Sequence, residues 1–220
     1  MLTPNCIGNI DGTLIFLTES PECSGEDFNT WKGGYGVNAL VVCNDHCHVL
    51  YSYIGWPGST HDNRSCRNCN LSLKHDVYFK HAEFLIGDST YNPSKRMVSA
   101  YKRNAGEFCN TYLSSARFKS EHHIGLIKNR FPCLHGLNVR IKKPCDVKKV
   151  VHIFTACIIL HNLLLSKPDS PEEWYEVCEE DMEMDVESDV LYGGDKCVSD
   201  EDRREQVKHT LIGLFNGAPL

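Results

Sequence analysis

The segment CIGNIDGTLIFL, residues 6–17, is rich in apolar and β-branched side chains and predicts a strand that Asp11-Gly12 interrupts. Residues 35–43 and 49–54 have the same character and predict two further strands. The polar triplet at residues 44–46 predicts the turn between them. Because the three segments follow one another along the chain, we expect an antiparallel meander.

Helices and short strands are predicted after the meander. The short apolar segments 82–86 and 97–101 predict two further strands. We expect a helix to begin near His61 with Thr60 as its cap. The pattern also predicts a helix over residues 113–130, with Phe118 and Leu126 on its apolar stripe. Residues 147–165 are almost entirely apolar and predict a core helix.

Charge is distributed very unevenly along the 220 residues. Residues 89–150 carry a net charge of +10, which favours a polyanionic partner, although a solvated lysine-rich face is the plainer explanation. Residues 169–205 carry −13 and predict a disordered acidic tail or interaction arm. We therefore divide the chain into a folded domain (1–167), an acidic tail (168–205) and a C-terminal segment with a short helix (206–220).

Several classes of protein are not indicated by this sequence. It has no uninterrupted run of about 18 apolar residues, so no membrane span is expected. Its N-terminus lacks the basic start and apolar core of a secretory signal. The twelve cysteines are scattered singly and are interpreted as reduced thiols of an intracellular protein. No glycine-rich phosphate loop, dinucleotide fingerprint or Ser-His-Asp order is present.

Four acidic residues in the first 125 positions lie in short, distinctive contexts: Asp11, Asp62, Asp88 and Glu121. Three of them lie at the end of an apolar run or just beyond it, where a strand would meet a loop. Carboxylates gathered at strand ends repel one another unless a hard divalent cation neutralises them. Any one of these residues alone would be interpreted as a cap or turn residue. Together they predict a site that hydrolyses phosphodiester bonds.

A series of motifs occurs in a characteristic order: IDGT (10–13), KGGYGVN (32–38), GWPGSTHD (55–62), LIGDSTY (85–91), SAR (115–117), Glu121, IGLIKNRF (124–131) and LHNLL (160–164). This series resembles the endonuclease domain of PIF/Harbinger-type transposases and the nuclear proteins derived from them. The resemblance covers about residues 5–165. No single motif is decisive, but their joint order is very specific.

The resemblance implies an RNase H-like α/β fold, in which helices flank a mixed sheet. It implies a catalytic set in which Asp11 lies on the first strand, Asp88 follows the fourth strand and Glu121 lies on the next helix. Asp62, after the Trp-Pro-Gly loop, is implied as a further metal ligand. The implied cofactor is Mg²⁺ or Mn²⁺, the implied substrate is DNA and the implied location is the nucleus.

The sequence departs from the family pattern at two positions beside the site. Relatives often carry His where this chain has Leu14, and Arg where it has His122. Relatives usually have a helical DNA-binding region in front, so we expect this domain to be N-terminally truncated relative to the family. DNA targeting would then come from a separate partner, which in this family is a Myb-like protein.

In the expected chemistry, the three catalytic carboxylates act as metal ligands rather than as proton carriers. Arg117, Lys119, Lys128 and Arg130 are the candidate contacts to DNA phosphates. A zinc site is a weaker alternative, built on the C-x-x-C at residues 66–69 with Cys43, His46, Cys47 and His48, because the spacing fits no finger pattern. His122 and His123 either line the site or lie on the helix surface, and His161 is expected in the core.

Three functions remain open from the sequence. The first is a divalent-metal-dependent DNA endonuclease of transposase origin. The second is a catalytically silent DNA- or protein-binding protein, which the changes at Leu14 and His122 favour. The third is a nuclease directed at RNA, since hydrolysis alone does not select the sugar.

Overall fold

The computed structural model describes residues 5–80, 82–99 and 107–166, and within 107–117 it describes the backbone alone. The predicted acidic tail and the predicted helix in 206–220 lie outside the described residues. The elements in chain order are β1 (Cys6–Leu17), β2 (Tyr35–Cys43), β3 (Val49–Pro57), α1 (Asp62–Asn68), α2 (Asn70–Leu73), α3 (His75–Tyr78), β4 (Phe84–Gly87), β5 (Met97–Ser99), α4 (Glu107–Arg130) and α5 (Val147–Leu165). Short 3₁₀ helices lie at Gly25–Phe28, Pro132–His135 and Pro144–Asp146.

The five strands form one mixed sheet in the order β3-β2-β1-β4-β5. β1, β2 and β3 pair as the predicted antiparallel meander. β4 pairs parallel to β1, and β5 parallel to β4. The predicted mixed α/β class is confirmed. The predicted interruption of the first strand is wrong, because Asp11 and Gly12 stay in register opposite Val41 and Leu40.

Each face of the sheet has its own apolar core. On one face, side chains such as Ile15 and Val41 pack with Phe154 of α5 and Ile127 of α4. On the other face, Ile10 and Leu40 belong to a second cluster together with residues of α1 and α2. Successive strand residues point to opposite faces. Asp11 therefore shares a face with Ile15, toward α4 and α5, and Gly12 shares the α1 face with Leu40.

The start of α1 differs from the prediction. The helix begins at Asp62 and is capped by His61, whose Nδ1 accepts a hydrogen bond from the Asn63 N–H at 3.2 Å. The predicted cap, Thr60, is wrong, because the capping residue is the next one along the chain, His61. Capping by His61 places Asp62 in the first turn, close to the end of β3.

The buried face of α4 also differs from the prediction. Phe118 is 55% exposed, whereas Ser120 and His123 are almost fully buried beside Leu126 and Ile127. The helix packs against β1 with a face that is partly polar. The apolar stripe predicted from hydrophobicity alone therefore does not coincide with the face of α4 that contacts the sheet.

The α5 helix has the predicted bounds and contributes Val150, Phe154 and Ile158 to the core. The segment Pro144–Leu165 is long and apolar enough to cross a membrane, contrary to the sequence expectation, although a core helix meets the same criterion. The end of α5 is joined to β3 by Asn162, whose amide oxygen accepts from the Val49 N–H at 2.9 Å. The amide nitrogen donates to the Val49 carbonyl at 2.8 Å.

His161 forms a buried hydrogen-bonded link at the same end of α5. Its Nε2 lies 2.9 Å from the Cys47 carbonyl, and Arg130 Nη1 lies 3.0 Å from its Nδ1. A guanidinium can only donate, so Nδ1 accepts and Nε2 carries the proton. Burial lowers the pKa of His161 to about 4, and the Arg130 charge adds to this lowering. The prediction of a satisfied core histidine is confirmed.

Candidate active site

Asp11 lies in the middle of β1, half-buried on the face toward α4. Its Oδ1 accepts a hydrogen bond from the Gly12 N–H at 2.8 Å. Burial, together with the charges of Asp88, Asp62 and Glu121, raises the pKa of this carboxyl to about 8, although the Gly12 hydrogen bond acts in the opposite direction. Four carboxylates from four parts of the chain therefore lie within electrostatic reach of one another.

Asp62 reaches β1 from the opposite layer. A Cβ atom added to Gly12 would lie 2.3 Å from the Asp62 carboxylate, so the carboxylate rests directly on the strand backbone. Asn38 of β2 donates to Asp62 Oδ1 at 2.5 Å. The pKa of Asp62 is raised by burial, with the hydrogen bond from Asn38 acting in the opposite direction.

Asp88 follows β4 immediately, and β4 runs parallel to β1 beside Asp11. Its Oδ1 accepts a short hydrogen bond from the Thr90 N–H, which closes the turn after the strand. Tyr91 lies beneath this turn, 2% exposed, with its hydroxyl unpaired among the described residues. Burial and the charges of Asp11, Asp62 and Asp88 raise the pKa of Tyr91 well above its usual value.

Glu121 projects from α4, and its side chain is exposed. Its charge acts on Asp11, so α4 brings it toward the same group of carboxylates. The four acidic residues thus approach from the sheet, from α1 and from α4. Hard oxygen donors of this kind match the preference of Mg²⁺ and Mn²⁺. In the described part of the chain, however, no three His, Cys, Asp or Glu side chains are already arranged to hold an ion.

Unpaired polar atoms also lie beside this group. Asn38 Oδ1 and the Tyr91 hydroxyl are buried without a hydrogen-bond partner in the described residues. A buried polar atom without a partner is costly unless water or an ion satisfies it. The donor set and these unpaired atoms fit a hydrated divalent cation.

Two of the candidate DNA contacts are engaged within the chain. Lys119 Nζ lies 3.2 Å from Asp45 Oδ1, in the turn between β2 and β3. Arg130 donates to His161, as described above. Lys128 lies in the last turn of α4 and is partly buried, and the side chain of Arg117 lies outside the described residues.

A different arginine lies on α1, the helix that carries Asp62. Arg64 is exposed on α1, two residues after Asp62, and its guanidinium carbon is 5.8 Å from the centre of the Trp56 ring. Trp56 pairs with Asn38 across β2 and β3. No carboxylate of the described residues forms an ion pair with Arg64. Sequence reasoning missed this residue, because its relation to Trp56 depends on the turn that leads from β3 into α1.

Asn38 and Gly12 were also missed as contributors to the site. A signal for Asn38 was present, since it is the one polar side chain within the apolar segment VNALVVC of β2. The signal for Gly12 was its place directly after Asp11. Neither residue could be linked to Asp62 without the packing of α1 on the sheet.

The alternative zinc site finds no support in the described residues. Cys66 and Cys69 are buried free thiols, and the Cys69 Sγ donates to the Cys66 carbonyl at 3.0 Å. All of the described cysteines are free, as predicted. His123 is buried, and burial together with the neighbouring His122 lowers its pKa to about 4. It is therefore a neutral core residue and not part of the helix surface.

A family model described as "DDE superfamily endonuclease" matches residues 10–162 of this chain, which include all four acidic residues. The chain belongs to this family. It is also similar to proteins named "Putative nuclease HARBI1". The bovine and human proteins are each 25% identical to it over 204 residues, covering 86% of this chain. The mouse protein is 26% identical over 171 residues, covering 74% of the chain.

The chain spans only about half the length of these curated relatives, namely 57% of the bovine protein and 46% of the mouse protein. No solved structure matches the chain. The similarity supports the resemblance to Harbinger transposase-derived nucleases that the motifs indicated.

Proposed function

We propose that this chain is a divalent-metal-dependent DNA endonuclease domain with Asp11, Asp62, Asp88 and Glu121 as its metal ligands. The observation that carries the proposal is the placement of Asp11 on β1 within electrostatic reach of three other carboxylates, which come from α1, from the turn after β4 and from α4. Such a like-charge group destabilises the fold and is best explained by a cation that neutralises it. Family membership supports the same chemistry.

Each side chain has a distinct part in the proposed site. Asp11 is oriented by the Gly12 N–H, and Asp88 by the Thr90 N–H. Asp62 and Glu121 approach from opposite sides of the sheet and complete an oxygen-lined surface. Bound Mg²⁺ or Mn²⁺ would supply an activated water and neutralise the developing charge on the phosphate. Arg64, stacked on Trp56, is suited to a phosphate of the bound strand.

The finer expectations from the family belong to the same proposal. The mixed sheet flanked by helices supports an RNase H-like fold. We propose a nuclear location and DNA as the substrate rather than RNA. We further propose that sequence-specific targeting comes from a Myb-like partner, because none of the described helices is recognisable as a sequence-reading helix.

A plasmid-nicking assay tests the proposal. The wild-type chain should nick supercoiled DNA in the presence of Mn²⁺ and not in EDTA, and Asp88→Ala should abolish the activity. Asp76→Ala is the matched control, because Asp76 is an acidic residue of α3 with an 85% exposed side chain outside the site. Labelled RNA of the same sequence should remain uncut.

A catalytically silent binding protein is the second candidate function. It is favoured by the finding that no three ligand-type side chains of the described residues are arranged to hold an ion. It predicts DNA or protein binding that is indifferent to Mn²⁺ and to Asp88→Ala. Nicking that survives Asp88→Ala with unchanged rate would contradict the proposed site.

A further inference from the structure

Asn38 is a polar residue buried in an apolar strand. It is 3% exposed, and the residues that follow it in β2 belong to the two cores. It lies between Leu14 of β1 and Trp56 of β3. Burying an amide in such a place costs free energy unless its hydrogen bonds are made. The hydrogen-bond partners of the Asn38 amide indicate its role.

The amide nitrogen of Asn38 bonds to the segment that enters α1. It donates to Asp62 Oδ1 at 2.5 Å and lies 3.4 Å from the Thr60 carbonyl. Both partners are acceptors, so the amide must present its NH₂ group to them. A hydrogen bond to a carboxylate is charge-assisted and stronger than a neutral one.

Gly12 of β1 provides the space that the Asp62 carboxylate occupies. Because a Cβ on Gly12 would lie 2.3 Å from the Asp62 carboxylate, only a bare backbone leaves room for that carboxylate. Asp62 is thus held on the α1 face of the sheet, between the backbone of β1 and the amide of Asn38. Its Oδ1 is occupied by Asn38, and its Oδ2 has no hydrogen bond among the described residues.

We infer that Asn38 is a positioning residue for the metal site: its amide fixes Asp62 over Gly12 and leaves Asp62 Oδ2 for a divalent cation. The inference rests on the proposed function and assigns Asn38 a part that acts only through Asp62. A partner that orients a ligating carboxylate in this way typically changes metal affinity by about 10- to 100-fold when removed.

The rival explanation is that Asn38 merely anchors α1 to the sheet. Its loss would then lower the stability of the domain and leave the metal affinity of the folded protein unchanged. The two explanations separate in a double-mutant cycle, because a residue that acts through Asp62 has nothing to act on when Asp62 is absent.

The experiment measures Mn²⁺ binding to the full 220-residue chain, by loss of the electron paramagnetic resonance signal of free Mn²⁺. Circular dichroism confirms that each variant is folded. We expect Asn38→Leu, which is nearly isosteric, to weaken Mn²⁺ binding by about tenfold or more. In the Asp62→Ala background the same substitution should have no further effect. Asn38→Ser, which cannot reach Asp62, provides a second variant if Asn38→Leu does not fold.

Asn162→Leu is the matched control, since it removes a partly buried amide that bonds Val49 at the start of β3. It should lower stability without changing Mn²⁺ affinity. An unchanged affinity in folded Asn38→Leu or Asn38→Ser, or an equal loss in the Asp62→Ala background, overturns the inference and leaves the proposed function standing. A wild-type chain that binds no Mn²⁺ overturns both.

Discussion

Replacing Asp11 by Asn should stabilise the metal-free domain at neutral pH. In the folded chain the pKa of Asp11 is raised from 3.8 to about 8 by burial and by three neighbouring carboxylates. Between these two values the folded state keeps a proton that the unfolded state has released. Stability therefore falls as the pH rises through this range. The Asn side chain is neutral at every pH and can still accept from the Gly12 N–H.

The size of the effect follows from the two pKa values. Each unit of difference corresponds to about 1.4 kcal/mol, so the cost at pH 7 is at most about 4 kcal/mol. Movement of the side chains around Asp11 reduces this cost. We therefore expect Asp11→Asn to raise the free energy of unfolding by about 2–4 kcal/mol at pH 7 in EDTA. The advantage should shrink as the pH falls toward 3.8, because below that value Asp11 is protonated in both states.

Urea unfolding followed by circular dichroism, at pH 5, 6, 7 and 8 in EDTA, measures the effect. The buried histidines contribute equally to the free energy of unfolding of both proteins, so their contributions cancel in the difference between wild type and variant. Asp76→Asn should be neutral, because Asp76 is exposed on α3. Added Mn²⁺ should stabilise the wild type and not Asp11→Asn. A variant that is less stable than wild type at pH 7, or a difference that does not change with pH, would refute the reasoning.

Three further outcomes are expected. The contribution of His161 to stability should fall as the pH drops from 6.5 toward 4, opposite in direction to that of Asp11, because the unfolded chain protonates His161 first. His161→Gln should remove this contribution from a pH-dependent melting curve. Asn162→Ala should cost about 1–3 kcal/mol in urea unfolding, since it leaves both backbone groups of Val49 unpaired. Arg64→Ala should reduce the salt dependence of DNA binding by about one counterion, and Arg67→Ala, on the same helix, should leave it unchanged.

The strands of the meander and the α5 helix were predictable because their signals are local. Periodic or continuous apolar runs gave the bounds of β2 and α5 to the residue. The cap of α1 was mistaken because a histidine took a role that a threonine usually fills. The buried face of α4 was mistaken because burial of Ser120 and His123 depends on the sheet beneath them.

The acidic residues of the proposed site were chosen from sequence context, but the residues that support them were not. Asn38 contacts a carboxylate 24 positions away, and no local pattern encodes that distance. The charge count of residues 89–150, which favoured a polyanionic partner, stays a prediction. Of its candidate contacts, Lys119 and Arg130 already have partners inside the chain. A net charge cannot tell a solvent-facing cation from one that holds two elements together.

The bonds between Asn162 and Val49 also bear on self-association. β3 is an edge of the described sheet, and an open edge offers its N–H and C=O groups to any extended chain. At Val49 the Asn162 amide takes up both groups, as a neighbouring strand would. An added strand would have to displace this side chain and loosen α5 before it could pair there. The start of β3 is thus closed to edge-to-edge aggregation.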